Sequence, residues 1–251
     1  MQPDAAIFHT GKQSLRMKFD GTPPGPAVDP EAAVKAWEEI VTHLESGREA
    51  YRTKSAATKE IDWAVQNARV VLQCMQMRAD TVSRDASMAE NIQWILGHSP
   101  NAKMVVWAHN GHVATNSVGG YRSMGAALRS ALDEQMVIYG FAFNQGSFQA
   151  VEPDKGLRSF TVGPSPEGSL DAALAAAEIP LFALDLRQAP ASGPAADWLR
   201  QPHPARSVGA VYSEAAAAQY LHPLDAMKSF DALLFVGKTT AARANHPAAR
   251  P

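Results

Sequence analysis

Hydrophobic positions in the first third of the chain recur at helical spacing. The first stripe starts after Asp29 and Pro30, an N-cap followed by proline at the first helical position, and it ends at Gly47. A second stripe over about 55–80 predicts a longer helix. The apolar members are Val34, Trp37, Val41 and Leu44 in the first stripe, and Ile61, Val65, Ala68, Leu72 and Met75 in the second. Two helices in succession without a strand between them predict a helical hairpin over about 30–80.

Farther along the chain, short apolar runs alternate with helical patterns. A third helix is predicted over 86–97, with Ser87 and Glu90 as a capping box and Gly97 as its stop. Asn91 lies inside this helix, where its low propensity indicates a side-chain contact. Further helices are predicted at 122–132 and 170–178. Strands are predicted at 103–108, 136–143, 147–151, 158–162, 181–186 and 232–236.

This alternation predicts an α/β fold with a mixed, largely parallel sheet flanked by helices, and with the helical hairpin as an insertion. Residues 1–29 are predicted to be an irregular lead-in, because the Gly- and Pro-rich stretch at 21–26 is incompatible with regular structure. Residues 30–240 then form one α/β domain. The Ala- and Pro-rich stretch 241–251 is predicted to be a frayed tail.

Composition narrows the class of protein. The chain has 251 residues, 46% of them hydrophobic, and a formal net charge of −2, so a nucleic-acid partner is not expected. Cys74 is the only cysteine, which excludes an intramolecular disulfide. The sequence has no apolar run of membrane-spanning length and no signal peptide at its start. We therefore expect a soluble, cytoplasmic protein without a membrane partner.

The apolar run at 103–108 ends abruptly in His109, Asn110, Gly111 and His112. A run of this kind is typical of a strand buried on both faces, and ligands in open α/β sheets bind just beyond the carboxyl ends of such strands. Imidazole can take or give a proton near neutral pH, so His109 and His112 are the candidate catalytic residues. The alternative is that one of them only hydrogen-bonds a carbonyl of a loop.

Arg84 and Asp85 precede the predicted third helix. A helix followed by a strand places the N-terminus of the helix towards the carboxyl end of the strand. We therefore expect Arg84 or Asp85 to share a cleft with His109 and His112, within about 15 Å, where these side chains would bind substrate. Helix capping is the alternative role for this charged pair.

Several known site patterns are missing from the sequence. It has no Gly-x-Ser-x-Gly elbow, no Walker loop and no Gly-x-Gly-x-x-Gly after a strand, so a serine hydrolase or a nucleotide-binding fold is not expected. His109 and His112 without a third ligand nearby make a poor zinc signature. We expect neither a metal nor another cofactor.

The sequence resembles the erythromycin esterase family over about residues 30–240. The resemblance rests on Arg84-Asp85, Met88-Ala89-Glu90-Asn91-Ile92, Trp94, Lys103 to His112, Met124-Gly125, Tyr139-Gly140, Gly146-Ser147-Phe148 and Phe230-Asp231-Ala232-Leu233. It implies a hydrolase whose substrate is a small-molecule ester, with the lactone of macrolide antibiotics as prototype, and hence a role in antibiotic resistance. It also implies metal-independent hydrolysis by histidine-activated water. His109 and His112 would serve as general acid/base and transition-state stabiliser, and Arg84, Asp85 and Asn110 would bind substrate.

One family motif is missing. The family has a Gly-Glu-x-x-His-Gly motif in its N-terminal half, whereas Glu39 and His43 here have different spacing and no flanking glycines. The resemblance therefore implies a C-terminal portion of the fold, with impaired catalysis and an uncovered sheet edge that favours a homo-oligomer. Two alternatives stay open. One is a non-catalytic ligand-binding or assembly remnant, and the other is a metal-dependent hydrolase that uses His109 and His112.

Overall fold

The computed structural model describes residues 29–54, 58–116 and 122–243. The chain divides between Ser99 and Pro100 into two compact units, each treated separately below. The predicted lead-in (1–29) and frayed tail (241–251) fall almost entirely outside the described residues. Within the described ranges, no helix is long and apolar enough to cross a membrane.

The first unit begins with the predicted helical hairpin. Helix α1 spans Pro30–Ser46, α2 spans Arg48–Lys54 and α3 spans Thr58–Arg78. Asp29 caps α1 by accepting a hydrogen bond from the Glu31 N–H at 3.1 Å, and Gly47 occupies the C-cap position. Helices α1 and α3 pack against each other. The hairpin was therefore predictable from the spacing of the apolar positions alone.

Helix α4 spans Arg84–His98 and begins two residues earlier than the sequence predicts. The predicted capping box is wrong: Ser83 is the N-cap, and its hydroxyl accepts from the Ala86 N–H at 3.1 Å. Ser87 is buried in the first turn. Two serines four residues apart both suit an N-cap, and the sequence alone does not distinguish them.

Buried amides join α3 to α4. Asn91 accepts a hydrogen bond from Gln66 at 2.6 Å and donates one to Gln73 at 2.9 Å, which confirms its predicted side-chain contact. Gln73 in turn donates to Glu90 at 2.8 Å. Glu90 therefore tethers α3 instead of capping α4. A chain of hydrogen bonds satisfies polar groups that would otherwise be costly to bury.

The second unit is built on a four-stranded sheet in the order β2-β1-β6-β3. Its strands are β1 (Tyr139–Glu152), β2 (Gly156–Val162), β3 (Leu181–Asp185) and β6 (Ala232–Thr239). Strand β1 runs parallel to β6 and antiparallel to β2, and β3 runs antiparallel to β6. This confirms the predicted α/β class with a mixed sheet.

Shorter elements surround this sheet. Helix α5 is Asn110–Val113, α6 is Met124–Leu132, α7 is Leu170–Ala175, α8 is Pro194–Leu199 and α9 is Ala226–Ser229. Strands β4 (His203–Arg206) and β5 (Leu221–Leu224) form a separate antiparallel pair. Short 3₁₀ turns occupy Asp133–Gln135, Leu186–Gln188 and Glu214–Tyr220. The core of the unit is apolar, and its largest fully buried members are Leu170, Leu233 and Phe235.

The predicted strand at 103–108 does not form. This stretch is irregular, and Val105 and Trp107 are 92% and 81% exposed. A strand needs a neighbour to satisfy its backbone, and no backbone hydrogen bond from 103–108 to another described residue is present. The side-chain amide of Asn110 instead forms hydrogen bonds to both the N–H and the carbonyl of Phe141, a residue of β1. The apolar run predicts burial in a sheet, but the described residues offer it no strand with which to pair.

Candidate functional site

In the second unit, His109 precedes the short helix α5, which carries Asn110 and His112. The strand at whose carboxyl end these residues were predicted to lie does not form. His109 is the N-cap of α5, and its Nδ1 accepts a hydrogen bond from the Gly111 N–H at 3.1 Å. On the opposite side of the ring, Nε2 lies 3.1 Å from the carbonyl oxygen of Val208. Two backbone groups, one local and one 99 residues away, therefore hold the imidazole in place.

These contacts select one form of His109. An N–H group donates to Nδ1, so Nδ1 must be unprotonated, and Nε2 must then carry the proton that is donated to Val208. Loss of water around the ring lowers the pKa of His109, the Val208 carbonyl partly offsets this, and the charge of His112 lowers it further. His109 is consequently neutral at pH 7. It can move a proton only after one of its two backbone contacts breaks.

His112 lies three residues farther on, in the last turn of α5, and it is half-buried. Positions three apart on a helix are neighbours on its surface, and the electrostatic effect of His112 on His109 is consistent with that proximity. The two imidazoles therefore lie close enough for the charge of His112 to act on His109. One of them is fixed by backbone contacts.

Asn110 links the loop to the sheet. Its amide donates to the Phe141 carbonyl at 2.7 Å, and its oxygen accepts from the Phe141 N–H at 2.9 Å. The side chain of Asn110 is predicted to bind substrate. In this structure both its nitrogen and its oxygen are hydrogen-bonded to β1. Trp107 adds an aromatic contact to the same point, with its ring centroid 5.2 Å from that of Phe141.

Arg84 and Asp85 lie in the first unit, in the first turn of α4. Asp85 is fully buried, and Arg84 is exposed. A buried carboxylate near a helix N-terminus is stabilised by the helix dipole, which fits the capping alternative for this pair. The cleft that these side chains are expected to share with His109 and His112 stays a prediction.

Sequence reasoning missed two groups near the loop. The Val208 carbonyl is a backbone atom, and no sequence pattern could have revealed its contact with His109. Asp171 also went unnoticed, because a single aspartate at the start of an Ala-rich helix is typical of an N-terminal cap. It lines a pocket together with Asn110 and Gly111 of the loop.

The chain as a whole can be compared with known proteins. A profile of the erythromycin esterase family matches residues 8–239. The chain belongs to the erythromycin esterase family. The match covers the loop with His109 and His112, both units and nearly all of the described residues.

Individual relatives are more distant. A Bacillus subtilis (strain 168) protein named "Putative hydrolase YbfO" is 31% identical over 111 residues, which is 41% of this chain and 25% of that protein. A Bacillus cereus protein of known structure superposes with a TM-score of 0.72 at 23% identity, over 84% of this chain and 52% of its own. A succinoglycan biosynthesis protein superposes with a TM-score of 0.68 at 20% identity, over 85% and 52%.

At these identities the two solved structures establish the fold alone. The chain spans about half the length of both of them and a quarter of the curated relative. The family match and the relative that is named as a hydrolase support a hydrolase-type family.

Proposed function

We propose that this chain is a hydrolase domain that cleaves carboxylic esters by histidine-activated water, with a macrolide lactone as the prototype substrate. The observation that supports it best is the pair of adjacent imidazoles, His109 and His112, on a rigidly tethered loop of an erythromycin esterase family member. A cytoplasmic location and a role in macrolide resistance belong to the same proposal.

The contacts of the loop suggest a different role for each of the two histidines. Both ring nitrogens of His109 contact the backbone, so His109 positions the loop and keeps a neutral ring beside its neighbour. His112 is the general base. It takes a proton from water, the hydroxide attacks the ester carbonyl, and the protonated imidazole returns the proton to the leaving alcohol.

The non-catalytic alternative also has an observation in its favour. His109 is occupied by the backbone on both sides, and the sequence lacks the Gly-Glu-x-x-His-Gly motif that supplies the family's principal base. Turnover slower than that of an efficient enzyme is therefore expected. For the metal-dependent alternative, the described residues bring no three His, Cys, Asp or Glu side chains together as a ligand set.

Hydrolysis of erythromycin and of p-nitrophenyl butyrate, followed by mass spectrometry and absorbance, tests the proposal. His112→Ala should lower kcat/KM by about 10²–10⁴-fold, the usual effect of removing a positioned base. Serine-directed inhibitors should have no effect. His246→Ala, which removes an imidazole outside the described residues, is the control and should retain full activity.

Two results would contradict this mechanism. Activity that survives both His109→Ala and His112→Ala removes the loop from the chemistry, and His43 and His9 then become the bases to test. An absence of turnover by the unmodified chain, combined with saturable ligand binding, would favour the non-catalytic alternative instead.

A further inference from the structure

A pocket of about 270 Å³ lies within the second unit and begins at the histidine loop. Asn110 and Gly111 line it on the loop side, Phe141 on β1 and Leu233 on β6. Its position brings it next to the loop that the proposed function assigns to catalysis. Its volume is slightly below the range of about 300–1,000 Å³ that is usual for pockets of drug-sized ligands. It suits a single small ring better than a macrocycle.

Most of the pocket wall is apolar. The side chains that form it include Phe141, Leu170, Leu224, Phe230 and Leu233. An apolar wall favours a ligand whose body is apolar, because binding then removes apolar surface from water on both sides.

Asp171 introduces a polar group into this wall. The residue is only 1% exposed. Its Oδ2 accepts a hydrogen bond from the Arg206 N–H at 2.8 Å, whereas its Oδ1 is buried and has no hydrogen-bond partner among the described residues. Leaving a buried acceptor unsatisfied costs about 1–3 kcal/mol, and more if the group is charged.

No described group forms a hydrogen bond to Oδ1, although the backbone N–H groups of Phe143 and of Asp171 itself lie close enough to lower the pKa of this carboxyl. The guanidinium of Arg206 donates to the carbonyls of Asn144 and Gly163, at 2.7 Å and 3.1 Å. Burial raises the pKa of Asp171, and backbone hydrogen bonds, with that of Arg206 the largest, oppose this rise only in part. Oδ1 therefore keeps a free acceptor position, and a ligand in the pocket could donate a hydrogen bond to it.

We propose that this pocket binds a small, mainly apolar alcohol, whose hydroxyl group donates a hydrogen bond to Oδ1 of Asp171. Hydrolysis of an acyclic ester releases an alcohol, whereas a lactone opens to a single hydroxy acid, so the assignment of this ligand as a product rests on the proposed function with an acyclic ester as substrate. A hydroxyl group suits the pocket better than an ammonium group, because burying a second charge among apolar side chains is costly.

Two probes of nearly identical shape test this directly. Cyclohexanol can donate a hydrogen bond and cyclohexanone can only accept one. In titrations at pH 8 followed by ¹H–¹⁵N NMR, cyclohexanol should bind about tenfold more tightly, which corresponds to about 1.4 kcal/mol. The largest shifts should fall on the amides of Gly111, Phe141 and Arg206. Equal affinities, or shifts elsewhere on the protein, would overturn the proposal. Equal affinities are also the result expected if an internal water molecule already donates a hydrogen bond to Oδ1.

The Asp171→Asn variant provides the second arm. Its side-chain amide can donate to a ketone, so the preference for cyclohexanol should disappear or reverse. The control is Asp197→Asn, an exposed aspartate on α8, which should keep the original preference. An unchanged preference in the Asp171→Asn protein overturns the proposal. If that variant does not fold, the comparison of the two probes on the unmodified chain decides alone.

Binding is measured here without any reaction. A chain that discriminates between the probes but hydrolyses no ester would retain this site and lose the proposed function. A chain that hydrolyses esters without discriminating between the probes would retain the proposed function and lose this site.

Discussion

At the scale of single residues, hydrogen-bond partners decide what a side chain can do. His109 was predicted as a catalytic base, and the alternative was a histidine that only bonds a loop carbonyl. The structure shows such a contact, to the Val208 carbonyl, together with a cap on α5. These contacts do not test catalysis. They do determine which protonation state of His109 the folded chain prefers.

We expect His109 to be the Nε2–H tautomer, with a pKa below its usual value of 6.5. Because the folded state binds this proton more weakly than the unfolded state, its contribution to stability is fully present above pH 6.5. That contribution is lost as the pH falls below this value. Long-range ¹H–¹⁵N NMR of the histidine rings across a pH titration measures both quantities. A proton on Nδ1 in the neutral form, or a pKa above 6.5, would contradict this reading of the loop.

At the scale of elements, the position of the histidine loop depends on how closely α6 approaches α5. Helix α6 begins at Met124, after an N-cap at Ser123 whose hydroxyl accepts from the Ala126 N–H at 3.1 Å. A Cβ atom on Gly125 would lie 1.8 Å from the Val113 carbonyl oxygen. Only glycine fits at this contact, so Gly125 fixes the end of the helix that carries His112.

Gly125→Ala should therefore destabilise the protein by about 2 kcal/mol or more, since backbone atoms at this contact must move apart. The amide resonances of 109–114 should shift with it. The matched control is Gly97→Ala in α4, where an added Cβ meets nothing within 4 Å. That change should be neutral or stabilise by up to about 1 kcal/mol, through higher helix propensity. Urea denaturation of both variants measures the difference, and similar stabilities would show that α6 can move without cost.

At the scale of the whole molecule, the second unit exposes an apolar segment beside which the described residues place no strand. Val105 is 92% exposed and Trp107 is 81% exposed, and Tyr139 and Phe141 at the start of β1 are also exposed. Contiguous exposed apolar residues are typical of a surface that pairs with another chain.

We expect the chain to self-associate through residues 103–108. Light scattering at increasing protein concentration should show a dimer or larger species. The double variant Val105→Thr, Trp107→Gln should shift the population towards monomer. Val70→Thr, at an exposed valine on α3, serves as the control and should leave association unchanged. A monomer at high concentration would contradict this expectation and would leave a segment outside the described residues to cover the surface.

The sequence by itself determined several of the main elements and the family. Helical spacing located α1 and α3, apolar runs located β1, β3 and β6, and the motif from Lys103 to His112 indicated the erythromycin esterase family. These features are local. The spacing of apolar residues, and the residues that cap a helix, can be recognised from residues that are close together in the sequence. For the same reason the sequence placed His109, Asn110 and His112 together.

Only the tertiary structure decided which groups those elements meet. Pairing of 103–108 depends on a neighbouring strand, the tautomer of His109 depends on a carbonyl 99 residues away, and the second oxygen of Asp171 depends on what enters the pocket. Each of these depends on a hydrogen-bond partner that does not lie next to the residue in the sequence. Neither the spacing of apolar residues nor a short motif contains that information, so the chemistry of the loop had to be taken from the fold.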